Sequence, residues 1–507
     1  MMKYKVQTLL FLFFLGIFSK VSSQSVYDIV RYSTTELNGS ARYQAIGGAF
    51  GALGGDLSSI SNNPAGSTIF NYNEGSATIG VNVFSNDVNF LNGANINDKT
   101  SFDINQFGFV LGFVNKKEKW DKVAIGFNFQ SQNNFNNKIE AQAINMNRGL
   151  VDYFVNLADR FEFNVFDLEN NSDNEYSYLG SNFGYDAQQA YLGLATRLIE
   201  YDSESSDYIF YDSIEQGIDQ LYNSNTSGFQ HLYSINFSAQ YSQKLSLGVN
   251  INIVAIEFHE RKSTSDLYLD TQNSFLKQVD FIQDFSVFGS GVSFQGGALY
   301  RPINSIRLGF TYSSPTFLEF DEEYTEGLDV RYYEELDGST GSSLYPSVVN
   351  ILSPYKLKTP SISQFSLAFV GKNGLISFDY GNKNYSATKI SGGNTSNTYN
   401  YLNQEIDNKF IESSTFLRAG AELKLNYVSL RGGYWNEGSP FKNSLLQKNI
   451  NGYSFGLGIN FGGTSLDLAY LRGTKEYSYP LYEVGLTDMI EVKKNTDKIS
   501  LTYIVRF

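Results

Sequence analysis

Residues 47–66 read GGAFGALGGDLSSISNNPAG. Six glycines in twenty residues leave this stretch without an apolar face of its own. Such a backbone packs tightly against whatever surrounds it, because glycine lets main chains approach closely and take φ > 0. Pro64 fixes its own φ and drives Asn63 to an extended conformation. The stretch lies after a secretory-type leader and before a long series of short alternating segments. It predicts a compact plug folded inside a barrel that the rest of the chain builds.

Upstream, Lys3 and Lys5 precede an apolar run, Thr8–Phe18, and small residues at Val21-Ser22-Ser23. This is the pattern of a signal peptide over residues 1–23, too short to span a membrane. Residue 24 is Gln rather than Cys, so a lipoprotein anchor is not expected. Losing the leader removes three lysines and no acid, taking the formal charge from −14 to −17. So acidic a chain argues against nucleic acid as partner. No cysteine is present, so an exported chain must rely on hydrogen bonds and packing. Aromatic residues make up 16%, with 41 Phe and 36 Tyr, and no mature segment is apolar enough for a membrane helix. Many aromatics at modest average hydropathy fit a transmembrane β-barrel, in which only alternate residues meet lipid.

Downstream, the alternation begins with Ala77, Ile79, Val81 and Val83. It continues with Phe107, Phe109, Leu111 and Phe113, then with Val123, Ile125, Phe127 and Phe129. Period-two apolar rows about ten residues long are what a membrane-crossing strand needs. After an interruption at 133–228 the rows resume, and the chain reads as fourteen antiparallel strands. The connections after even strands are roughly two to five residues; those after odd strands are expected to be long, about 12 to 95 residues. This is the outer-membrane pattern of short periplasmic turns and long extracellular loops, with both termini on the periplasmic side. The final row, Ile499, Leu501, Tyr503, Val505 and Phe507, alternates to the last residue. It resembles the signal read by the outer-membrane assembly machinery. Ser25–Thr35 is polar and is expected in the periplasm or at the barrel mouth. The expected division is a signal peptide at 1–23, a hatch at 24–74 and a barrel at 75–507.

Arg42–Gly66 and its Asn63-Pro64-Ala65 motif resemble the N-terminal hatch of the OmpP1/FadL/TodX family of outer-membrane transporters. The stretch is similar to the form found in Bacteroidetes members often labelled haemin receptors. Lys358-Thr359-Pro360, Asp379-Tyr380, Asn384-Tyr385-Ser386, Arg418–Glu422 and Leu430–Tyr434 carry the resemblance across the mature chain. It implies a fourteen-stranded barrel plugged by its N-terminal segment. A hydrophobic substrate, such as a long-chain fatty acid, would meet an apolar groove among extracellular loops. It would then move to a lumen site near the hatch and leave sideways into the outer-membrane lipids through a gap where the third strand kinks. Gly126 and Asn128 are the positions in that strand able to accommodate a kink.

The long loop predicts two amphipathic helices, from Leu150, Phe154, Leu157 and Phe161 and from Ala187, Tyr191, Leu194 and Leu198. Leu150, Phe154, Leu157, Tyr191, Leu194 and Leu198 are the groove candidates; the alternative is that the two helices bury these side chains against each other. A two-residue turn at Asn426-Tyr427 would set Glu422 opposite Arg431 and Arg418 opposite Trp435, all four facing the lumen. Arg431 then reads as half of a cross-strand ion pair. Arg418, Trp435 and, in the hatch, Arg42 are the ligand candidates, the arginines for a substrate carboxylate. Asn63, Pro64, Ala65 and Gly66 either seat the hatch or form a plain turn. No cofactor is expected. His231 and His259 belong to no metal-binding spacing, and no phosphate-binding loop is present, so an enzyme is not expected. The rival reading from another class is an interaction protein, a barrel that shuttles type IX-secreted cargo.

Overall fold

A computed structural model describes residues 25–507 except 116, 167–172, 211–216, 271–273, 337–338 and 393–398. The expected leader lies outside the described residues. Fourteen strands form one closed antiparallel ring. They are β1 (Glu74–Phe90), β2 (Gly93–Val114), β3 (Trp120–Asn134, continued by Asn137–Met146), β4 (Ile218–Tyr241) and β5 (Leu245–Tyr268). Next come β6 (Leu276–Ile303), β7 (Ile306–Ser313, continued by Phe317–Leu336), β8 (Asn350–Lys358, continued by Ser361–Val370) and β9 (Gly374–Asn384, continued by Lys389–Gly392). The last five are β10 (Ser413–Leu425), β11 (Val428–Glu437), β12 (Ile450–Asn460), β13 (Thr464–Pro480) and β14 (Met489–Arg506). The ring closes where β1 pairs with β14, Glu74 against Arg506.

The alternation sorts side chains as the sequence predicts. Each strand presents large apolar residues outward, among them Val81, Phe109, Ile125, Phe237, Val249, Phe294 and Phe310 on β1 to β7. Phe365, Phe378, Leu417, Leu430, Phe455, Leu468 and Leu501 do the same on β8 to β14. An apolar belt around a closed ring, with backbone groups paired along its ladders, is the condition for crossing a bilayer with strands. Among the described residues no helix is long and apolar enough to cross. The inner row is polar and buried: Asn82, Asn236, Asn250, Ser377, Asp379, Ser454, Ser500 and Thr502.

The turns after β2, β4, β6, β8, β10 and β12 are short, at residues 115–119, 242–244, 304–305, 371–373, 426–427 and 461–463. On the opposite rim three connections are shorter than the expected 12 residues: those after β1, after β5 (269–275) and after β13 (481–488). The connection after β1 is no long loop: β1 and β2 run on as a hairpin to a two-residue turn, with Leu91 at φ 51°. Polar residues at alternate positions kept the sequence pattern from reading as strand there. The same rim carries α-helices in the loop between β3 and β4. Their labels follow the three helices of the N-terminal segment, α1 (Val26–Ser33), α2 (Ala41–Ala45) and α3 (Leu57–Asn62). The loop holds α4 (Leu150–Ala158), α5 (Asp173–Phe183) and α6 (Tyr185–Ala195), and α7 (Asn400–Lys409) lies between β9 and β10.

The N-terminal segment lies within the ring. α1 is not at the periplasmic mouth, as its polarity suggested. Val26, Ile29 and Val30, spaced i, i+3, i+4, pack with Tyr32 into a cluster formed by Val254, Phe258, Leu318, Phe320, Tyr355 and Ile406. A short polar helix with an apolar stripe is stable here because the barrel supplies the other half of its core.

Candidate functional site

The glycine-rich stretch owes its position to bare backbone on both sides. Inward-facing glycines on six strands touch it or the two residues before it: Gly248 on β5, Gly297 on β6, Gly309 on β7, Gly420 on β10, Gly433 on β11 and Gly456 on β12. A Cβ at Gly420 would fall on Ile46, one at Gly433 on Gly47, and one at Gly309 on Gly51. Polar side chains complete the seat. Asp379 accepts from the Gly51 amide at 3.0 Å and from Asn62 Nδ2 at 3.3 Å. Ala41 N donates to Thr502 Oγ1 at 2.7 Å, and Arg307 reaches the Leu53 carbonyl at 2.5 Å.

The Asn63–Gly66 motif is both a turn and an anchor. Asn63 caps the 3₁₀ turn Pro64–Ile69 by accepting from Ala65 N at 3.1 Å. Its Nδ2 also donates to the Gly51 carbonyl at 2.6 Å and to the Ala298 carbonyl of β6 at 3.2 Å. Asn236 Nδ2 of β4 donates to the Pro64 carbonyl at 3.0 Å. Ala65 and Gly66 are buried beneath it.

The β10–β11 register places Glu422 opposite Arg431 and Arg418 opposite Trp435. Glu422 accepts from Arg431 Nε and from Arg42 Nε, each at 2.8 Å, and Arg431 NH1 donates to Asp467 at 2.6 Å. Arg42 is therefore engaged by Glu422 and by the Gly55 carbonyl at 3.1 Å, and ties hatch to wall. Trp435 is buried, with Gly452 and Gly473 beside its ring. Arg418 differs. Its hydrogen bond runs to Tyr43 Oη at 3.2 Å, its guanidinium lies 5.0 Å from the Phe416 ring, and it forms no ion pair among the described residues.

Arg418 lines a lumen cavity of about 180 Å³ between the hatch and α1. Tyr32, Leu37, Tyr43, Gln130, Gln230, Gln364 and Lys383 share the lining. Here β7 and β8 break together at Pro315 and Pro360, bridged by Thr359 N to the Thr316 carbonyl at 3.1 Å. Proline cannot donate to a ladder, which accounts for the paired break at this level.

The β2–β3 ladder ends at Gln106–Gln130, whereas β2 continues against β1 and β3 against β4. An extra residue in β2 accompanies the break, with Asn105 and Gln106 both turned inward. Beyond it the two strands are joined through side chains: Ser131 Oγ to Asp103 at 3.2 Å, Asn134 Nδ2 to Ser101 at 3.1 Å and Lys99 Nζ to the Asn137 carbonyl at 3.4 Å. The separation starts past Gly126 and Asn128, four and two residues beyond them.

The groove candidates do not line an open groove. Leu150, Phe154, Leu157, Tyr191 and Leu198 are buried in one core, and Leu194 packs on its edge. That core extends to the wall: Phe154 meets Phe281 edge to face at 5.2 Å, and Tyr153 stacks on Tyr482 at 4.2 Å. Buried Glu326 of β7 holds the helices down, accepting from Tyr176 Oη at 2.7 Å and Gln189 Nε2 at 2.8 Å. Phe154→Ala should cost about 3–5 kcal/mol within this cap. Limited proteolysis of the loop on intact cells should be strongly accelerated. An unchanged cleavage rate would contradict a closed core.

Besides the short hatch helices α2 and α3, sequence reading missed α1, α5, α7 and the amide-rich cavity. The i, i+4 pair Leu402 and Ile406, both buried, was the available signal for α7.

These features define a class: a membrane-spanning barrel of fourteen strands with its N-terminal segment folded inside. Its fold is that of a FadL homologue of Pseudomonas aeruginosa. At 12% identity that structure matches 94% of this chain and 100% of its own, with a TM-score of 0.55. The toluene transporters TodX of P. putida (14% identity, 93% of this chain, 99% of that chain, TM-score 0.49) and TbuX of Ralstonia pickettii (13%, 93%, 99%, 0.48) are also similar. No family model and no curated protein matches the sequence.

Proposed function

We propose that this barrel carries hydrophobic small molecules, long-chain fatty acids or similar acids, across the outer membrane without an energy source. The observation that carries the reading is the lumen cavity beneath α1: a cationic side chain that forms no ion pair among the described residues, with Asp379 opposite it on β9, stands at a chamber closed by a seated plug. Residues 24–74 act as the hatch and residues 75–507 as the barrel. Substrate enters from the extracellular rim, sets its carboxylate on Arg418, and leaves sideways into lipid where β2 and β3 separate. Burial of the chain drives capture by roughly 0.8 kcal/mol per methylene. The likeness in fold to a FadL homologue supports this reading. The strand ending at Phe507 serves recognition by the assembly machinery.

The test is uptake of labelled long-chain fatty acid by cells lacking their own transporter and expressing this chain. Saturable uptake is expected, with Arg418→Gln raising the half-saturating concentration about tenfold. A charge-assisted pair is worth about 1.5–3 kcal/mol when one partner is removed. Uptake at background level from a correctly assembled barrel would overturn the proposal.

A further inference from the structure

The lumen cavity has the wrong lining for a bare hydrocarbon. Six side-chain amides, of Gln130, Gln132, Gln230, Asn252, Gln295 and Gln364, face it from five strands. Two polar atoms on its wall have no protein partner although their residues are almost wholly buried: Asn38 Nδ2, with Asn38 1% exposed, and Thr311 Oγ1, with Thr311 3% exposed. The Ser33 hydroxyl at the end of α1 is a third. Buried polar groups are hydrogen-bonded as a rule, and those left over point to what the site receives. The apolar part of the lining, Leu232, Val254 and Leu318, belongs to the cluster that packs α1.

Each of the six amides already makes a hydrogen bond within the protein, so a hydrocarbon entering here would leave the partnerless Asn38, Thr311 and Ser33 atoms unsatisfied. A plain fatty acid would satisfy Arg418 alone. A head that carries an amide or hydroxyl next to its carboxylate satisfies both kinds of group. Sites built to hydrogen-bond a ligand reject the analogue that lacks the bonding group far more strongly than apolar pockets reject a methylene. We propose that the cavity selects carboxylic amphiphiles whose head bears further hydrogen-bonding groups, such as N-acylated amino acids, over plain fatty acids and hydrocarbons. The inference rests on the transport reading above and narrows its substrate class.

The chain supplies its own reporter. It has two tryptophans, Trp120 and Trp435, and Trp435 lies beside Arg418 across the β10–β11 ladder. In a Trp120→Phe variant reconstituted in lipid nanodiscs, Trp435 emission reports on the lumen, with empty discs as the control for partitioning. Titration with N-dodecanoylglycine, dodecanoate and toluene should give at least tenfold tighter binding for N-dodecanoylglycine than for dodecanoate, and weaker binding still for toluene. Calorimetry on the same discs gives an independent value. Thr311→Val, which removes a partnerless hydroxyl and adds no volume, should reduce the preference at least threefold, and Gln132→Leu likewise. Equal or tighter binding of dodecanoate would overturn the selection and leave the transport reading standing. Binding of none of the three would overturn both.

Discussion

Replacing Glu422 by alanine is expected to destabilise the protein by about 3–5 kcal/mol, the range for removing one partner from a buried ionic network. Glu422 is the shared acceptor of Arg42 from the hatch and Arg431 from β11, and its side chain is 1% exposed. Without it, Arg431 keeps Asp467, but Arg42 is left inside the barrel with only the Gly55 carbonyl. Water reaches neither guanidinium freely, so the lost attraction is not replaced by hydration. The measurement is urea unfolding of the lipid-embedded barrel, together with trypsin cleavage at Arg42. Both a lower midpoint and faster cleavage are expected. Glu422→Gln should fall between, because an amide can still accept one hydrogen bond. A loss below about 1 kcal/mol, the value typical of exposed pairs, would mean that this network is no anchor.

The second large effect is steric. Gly433→Leu should unseat the hatch and convert a closed barrel into a conducting one. The added side chain would have to occupy the space of the Ile46 carbonyl carbon and the Gly47 amide, which are backbone atoms and cannot rotate aside. The adjacent residue is the control. Gly432 faces outward, where a Cβ meets nothing closer than 3.9 Å, so Gly432→Leu should leave conductance and stability unchanged. Single-channel recording in planar bilayers separates the two. A Gly433→Leu barrel as silent as the parent would show that the plug seals without the close approach described here.

The barrel was legible because its signal is repeated fourteen times. Rows such as Val123, Ile125 and Phe127 state both strand and lipid face, and the short turns state which ends meet. The β10–β11 register followed from a single turn at Asn426-Tyr427, which fixed Arg431 against Glu422. The plug was read into the lumen from its glycines; what could not be read was that α1 enters it too. Val26, Ile29 and Val30 make a three-residue stripe on an eight-residue helix, too short to stand out until a wall such as Phe258 and Phe320 is known to face it. Tertiary contact alone decides such an element. The partner of Arg42 was equally hidden, since Glu422 stands 380 residues away in sequence. The groove candidates were found as helices, but periodicity says that an apolar stripe is buried and not what covers it. Here Phe281 and Tyr482 of the barrel and its loops do so.

The seam of the ring runs between the first strand and the last. The hatch continues directly into β1, yet its amide at Ala41 and its Gln44 side chain meet Thr502 and Ser500 of β14. Thr502 in turn touches Thr78 of β1 at 2.8 Å. Those partners exist only once the end of the chain has arrived. Closing the ring thus also completes the seat of the plug, whose other anchors lie on strands that precede the last one in the chain.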